Sequence, residues 1–157
     1  LLPDIEAGRT RIVFSYRKDM AAVSAGIEDR KTPSGYMKVS SPELTALDLM
    51  RYPQSGAGLD NIATVLSELT ERLQPKKLAS LSGAFEKAVV QRLGHLLGRL
   101  GYPQIAEAMF VALSARGPLP WVELDPKQAG DPDLSPPPSE RDARWRVIVR
   151  RPPEIDE

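Results

Sequence analysis

The chain has 157 residues, 41% of them apolar and 27% charged, which suits a single soluble domain with a hydrophobic core of its own. Lys+Arg and Asp+Glu both number 21, so no global field draws the chain to nucleic acid or to an anionic membrane, and any such contact must be local. It has no cysteine, which excludes disulfides, thiol nucleophiles and cysteine metal sites. No apolar run approaches the roughly 20 residues of a membrane span and no signal-peptide pattern opens the chain, which is read as cytoplasmic. The first residue is Leu1 rather than a methionine, as expected of a processed product or a piece of a longer polypeptide.

Residues 11–16, RIVFSY, alternate apolar and polar and predict a half-buried strand. Residues 17–25 are compatible with a short helix, and 27–32 read as a charged extended segment. Pro33-Ser34-Gly35 marks a turn and 36–39 a returning strand, giving a hairpin. A capped helix follows. Ser40 and Ser41 precede Pro42, which suits an opening turn, and Glu43 stands three residues after Ser40 as in a capping box. Leu44, Leu47 and Met50 recur at helical spacing until Tyr52-Pro53 ends the helix. Residues 54–58 read as a glycine-rich loop. The next helix carries Leu59, Ile62, Val65, Leu66, Leu69 and Leu73 on one face and Asp60, Asn61, Ser67, Glu68, Glu71 and Arg72 on the other.

Pro75 opens a short helix, 76–81, closed by Ser82-Gly83. A longer helix is predicted over 85–100, with Val89, Val90, Leu93, Leu96, Leu97 and Leu100 on its apolar side and Gly101 after it. Gly94 and Gly98 inside it each cost about 1 kcal/mol relative to alanine, which suggests a closely packed neighbour at both. Residues 103–116 form a helix apolar over so much of its circumference that a central place in the bundle is expected. Residues 121–124 read as a short strand, 125–142 as a Pro-rich loop, 144–150 as a closing strand, and 152–157 as a disordered tail. The fold expected is α+β: one domain over 1–151, with a small, mainly antiparallel sheet of N- and C-terminal strands against a bundle of four to five helices.

Chemistry has few places to reside. His95 is the one histidine, so a zinc site or a histidine-based catalytic pair is hard to build, and neither catalytic residues nor cofactors are assigned. Arg92, His95 and Arg99 share one helix face by their spacing. That face is either a solvated basic side or a ridge that recognises an anion or a partner protein. Asp48 and Asp60 are read as local pairing and helix-start carboxylates rather than as a magnesium pair. Gly56-Ala57-Gly58 follows a helix and lacks the lysine of a P-loop, so it reads as a hinge. Between residues 141 and 151 stand five arginines and one aspartate, a local net of about +4. Arg144, Arg146, Arg150 and Arg151 beside Trp145 suit phosphate contact, whereas charge protecting an edge strand explains them equally well.

The stretch 40–73 resembles the C-terminal domain of the AbiEi family of antitoxins. The likeness rests on Ser41, Pro42, Glu43, Thr45 and Asp48, and on Gly58, Leu59, Asp60 and Asn61 at the entry to the next helix. VQRLGHLLGRLG (90–101) and RWRVIVRR (144–151) are similar to later family segments, so the likeness covers most of 35–150. It implies a non-enzymatic antitoxin domain of a type IV toxin–antitoxin system, belonging to a transcriptional autoregulator with a part in abortive infection and phage defence. The partner it implies is a cognate nucleotidyltransferase-like toxin. Promoter DNA binding is expected mainly from an N-terminal winged helix, whose three helices and wing residues 1–35 do not provide. A second reading is a dimerisation or DNA-contact module of a transcription regulator, with the basic C-terminal strand on phosphates and a homodimer formed by the bundle.

Overall fold

In the computed structural model of the chain, the described residues are 5–7, 10–12, 27–32, 35–51, 58–126 and 137–154. The first helix, α1 (Pro42–Arg51), starts where the sequence places it. The Ser41 hydroxyl accepts the amide of Leu44 at 3.2 Å, and Pro42 takes the first helical position, where a missing donor costs nothing. Because Ser41 rather than Ser40 holds the cap, Glu43 falls one residue short of the capping-box position and turns inward instead. It is 1% exposed, its Oε2 accepts the amide of Gln74 at 3.0 Å, and the Lys77 ammonium lies 3.8 Å from its Oε1. The carboxylate thus sits at the start of α3 (Pro75–Ser82), where the helix dipole favours negative charge. Ser41→Ala should lower stability by about 1 kcal/mol through loss of the cap, read as a shift in the urea midpoint.

Helix α2 (Leu59–Leu69) is entered through Gly58 at φ 103°, a left-handed conformation that glycine adopts without steric penalty. Ile62, Ala63 and Leu66 are buried, and Thr70–Arg72 tightens into a 3-10 turn in which the Thr70 hydroxyl donates to the Ser67 carbonyl at 2.8 Å. Helix α4 (Lys87–Arg99) begins two residues later than expected, because Glu86 is extended and Phe85 packs in front of it. It is the axis of the bundle. Val89, Val90, Gln91 and all of 93–97 are buried, leaving no broad solvated side over those turns.

The helix expected at the centre, α5 (Glu107–Ser114), lies on the outside. Residues 103–106 form turns, Met109 and Leu113 reach the core, and Val111 remains 65% exposed. Apolar content did not decide position. Helix α4 is covered by α1, by α5 and by C-terminal strands, so its polar residues find partners, whereas α5 packs chiefly on α3.

The α+β class holds, but the strands form three small sheets among the described residues rather than one. β1 (Ile5–Ala7) and β2 (Thr10–Ile12) pair antiparallel with Ile5 opposite Ile12; β1 was not anticipated, and 13–26 lie outside the described residues. β3 (Ile27–Thr32) and β4 (Gly35–Ser40) make the expected hairpin, with Thr32 opposite Gly35, and deliver the chain into α1. The third sheet contains β5 (Val122–Glu123), β6 (Glu140–Asp142) and β7 (Val147–Val149) in the order β5-β7-β6. β7 runs parallel to β5 and antiparallel to β6. It is therefore a middle strand, not the charged edge considered from the sequence, and β6 occupies the end of the expected loop. The closing strand starts at Val147 instead of Arg144 because Asp142 Oδ1 accepts the amides of Arg144 at 3.0 Å and Trp145 at 3.2 Å, folding 143–146 into a turn. The tail from Pro152 is described as far as Glu154, whose amide donates to Asp60 Oδ1 at 2.9 Å.

Candidate partner-binding surface

Trp145 joins the C-terminal sheet to the bundle. Its side chain is buried against α4 at Gly94, where a Cβ would stand 2.4 Å from three ring carbons. The ring of Phe110 on α5 meets it edge-to-face, with centroids 4.9 Å apart and an interplanar angle of 80°. From α4 the fully buried Gln91 amide donates to the Pro120 carbonyl at 2.7 Å and to the Trp145 carbonyl at 2.9 Å, tying the segment before β5 to the turn before β7. The close neighbour expected at the two glycines thus exists at Gly94 alone. At Gly98 a Cβ would meet nothing within 4 Å.

Arg92, His95 and Arg99 do share a face of α4, and the C-terminal sheet covers it. Arg92 Nε donates to the Glu123 carbonyl at 2.7 Å; burial lowers its pKa, partly countered by the charges of Asp125 and Glu123. His95 is 6% exposed, with Nδ1 2.7 Å from Asp142 Oδ2 and a buried Nε2 that has no hydrogen-bond partner among the described residues. Arg99 grips Glu140 through two parallel bonds of 2.9 and 2.8 Å. That hydrogen-bonded pairing raises the Arg99 pKa and holds the Glu140 carboxyl below the usual carboxylate range. The openly solvated basic side considered from the sequence is corrected by this packing. Spacing identified the shared face, but not the Glu123 carbonyl or the Glu140 and Asp142 carboxylates that meet it.

Arg144, Arg146 and Arg150 are likewise engaged. Arg144 bonds both Glu107 oxygens at 2.6 and 2.7 Å and lies over the Phe110 ring, 4.3 Å from its centroid. Arg146 donates to the Leu119 carbonyl at 3.0 Å. Arg150 Nε donates to Glu123 Oε1 at 2.8 Å, and this bond raises the guanidinium pKa. Arg151 is exposed at the end of the strand segment. Glu107 and Glu123 therefore compensate much of the charge that made this segment a candidate for phosphate contact.

Between the end of α4 and the turn after β6 lies an open cleft of about 390 Å³. His95, Gly98, Pro103 and Trp145 line its floor and side, and Arg99, Glu140, Arg141, Asp142 and Arg144 surround it. No hydroxyl or thiol side chain is among its described lining residues. Sequence reasoning did not single out Gln91 or Trp145 as links between the two layers. A glutamine flanked by the Val90 and Leu93 apolar positions, and a glycine one turn beyond it, were the available signals.

A helical bundle is thus latched to a small sheet by arginine–carboxylate pairs beside an open mixed-charge cleft. The family model for the AbiEi antitoxin C-terminal domain matches residues 2–99, and the chain belongs to this family. The match spans the N-terminal hairpins through α4; RWRVIVRR, read from the sequence as a family segment, lies beyond it. The family is regulatory rather than catalytic, and membership places the chain on the antitoxin side of a toxin–antitoxin system. The crystal structure of the RV2827C protein from Mycobacterium tuberculosis shares the fold, with a TM-score of 0.53 and 17% sequence identity over 71% of this chain. The alignment spans 35% of that protein's length. No curated protein matches the chain. No helix among the described residues is long and apolar enough to cross a membrane.

Proposed function

We propose that this chain is the antitoxin domain of a type IV toxin–antitoxin pair and that it counteracts a nucleotidyltransferase-like toxin, as part of a transcriptional autoregulator. The observation that carries the reading is the family match across 2–99, a stretch that includes the α1–α2 pair and the whole of α4. The open cleft beside α4 supports recognition of another molecule. Promoter contact through the C-terminal strand is disfavoured, because Arg144 and Arg150 are compensated by Glu107 and Glu123.

The test is growth rescue on co-expression of the chain with the toxin encoded beside its gene. Rescue by the folded chain is expected; soluble, folded chain without rescue would overturn the reading. A double Arg92→Glu/Arg99→Glu substitution would not map a contact surface cleanly. Reversing those charges breaks the bonds to the Glu123 carbonyl and to Glu140, so it should lower stability as well as any contact.

A further inference from the structure

The segment between α5 and β5 is unusually well fastened. Pro118 and Pro120 restrict its backbone, and three successive carbonyls accept side-chain donors: Lys87 Nζ donates to Pro118 at 3.1 Å, Arg146 to Leu119 at 3.0 Å and Gln91 to Pro120 at 2.7 Å. The segment leads into Trp121, which is 46% exposed, whereas Trp145 is buried. β5 and β7 pair in parallel with Val122 opposite Val147, so Trp121 stands beside the exposed Arg146, one position before that pair. Arg146 takes φ 53°, a left-handed conformation uncommon for arginine, which glycine would adopt with less strain. The exposed Arg116 opens the segment. Among the described residues, none of Lys87, Arg116 and Arg146 has a carboxylate partner, and the acidic neighbours Glu86 and Glu123 are taken by Arg51 and Arg150.

We infer that Trp121 with Lys87, Arg116 and Arg146 forms a binding site for single-stranded nucleic acid, in which an unpaired base stacks on the indole and flanking phosphates meet the three cations. Charge and shape act together. Lys87 and Arg146 each give one donor to a carbonyl, which fixes the charged group and leaves its other donors for phosphate oxygens. The indole offers a flat face that any base can cover. A duplex keeps its base faces stacked inside, and an acidic peptide brings charge without a base for the ring. Because the segment is fastened before binding, little ordering opposes it. Arg144 and Arg150, held by Glu107 and Glu123, take no part. The inference does not rest on the antitoxin reading, since it involves no toxin.

The test titrates the full chain into fluorescein-labelled oligo(U) and oligo(dU) decamers over a range of salt, followed by anisotropy, with a DNA duplex and a glutamate-rich peptide of equal charge for comparison. Three phosphate contacts predict that log K falls with log salt at a slope of about −2 for a single strand. Arg116→Gln should reduce that slope by about 0.7. Trp121→Ala should weaken binding by about 5- to 150-fold, the range for losing one stacked base. Both positions are exposed, so both variants should melt with wild type, and Arg72→Gln on the exposed 3-10 turn should bind as wild type does. Binding of either decamer with these variant effects supports the site, and the tighter one names its source, RNA or DNA. No binding of either decamer at low salt would overturn the inference, as would Trp121→Ala binding within about twofold of wild type. A duplex or peptide bound as tightly as the decamers would overturn it too, because neither needs the ring. So would an Arg72→Gln effect equal to that of Arg116→Gln, the mark of diffuse charge attraction alone.

Discussion

Trp145→Ala should destabilise the protein by about 3–5 kcal/mol, the usual cost of truncating a buried tryptophan or phenylalanine. The ring is 5% exposed, fills the space above Gly94 and meets Phe110 edge-to-face at 4.9 Å. Its removal takes away contacts from α4 and α5 together. Against a typical total of about 5–15 kcal/mol, such a loss leaves little margin at growth temperature. Equilibrium urea unfolding followed by far-ultraviolet circular dichroism measures the change. A loss below about 1 kcal/mol would mean that the C-terminal sheet is not cooperatively joined to the bundle, since the cavity term could not then be shared between the two layers. The same variant leaves Gln91 facing a displaced 143–146 turn, so one of its two donated bonds weakens with the packing.

Gly94→Ala should destabilise, although alanine is the better helix former. Ring carbons of Trp145 lie 2.4 Å from the position of the added methyl, so the ring or the helix has to move. Overpacking of this kind costs about 1–3 kcal/mol, which outweighs or at least cancels a propensity gain of about 1 kcal/mol. The opposite sign is expected four residues on, where Gly98→Ala meets open space and should gain up to about 1 kcal/mol. Thermal melts of the two variants side by side decide it. A double-mutant cycle isolates the cause: in a Trp145→Ala background the Gly94→Ala penalty should vanish or turn into a gain. If the penalty persists there, the clash is with something other than the tryptophan.

Much of the helical part was legible in the sequence because its signals are local. The Ser41-Pro42 start, the glycine before Leu59 and the proline at residue 75 each act within one turn, and the corresponding helices begin where those residues stand. The period of Val89, Val90, Leu93, Leu96 and Leu97 likewise marked the buried side of α4. Placement was another matter. The more apolar α5 was expected at the centre, yet α4 holds it, because the C-terminal segments between 120 and 145 supply partners for the Gln91 amide nitrogen, Arg92, His95 Nδ1 and Arg99. Burial follows from satisfied polar groups as well as from apolar content.

The arginine-rich end shows the same division. Trp145, Val147 and Val149 alternate along the predicted closing strand, and all three are buried. Nothing local reveals that Arg99 will find Glu140, that Arg144 will find Glu107, or that Arg150 will find Glu123, since those pairs are separated by 27 to 41 positions. A count of charges along 141–151 therefore suggested a basic surface where the fold makes a largely compensated one.

By itself the sequence determined the α+β class, the starts of several helices, the hairpin that leads into α1 and membership of the antitoxin family. Capping, turn chemistry and hydrophobic period act over a few residues and need no partner to be read. Only the tertiary structure decided which helix lies at the centre, that β7 is a middle strand, and that one glycine packs against a tryptophan while a Cβ at the other would meet nothing within 4 Å. Those outcomes depend on contacts between residues far apart in the chain, where desolvation and close packing, rather than local preference, set the energy.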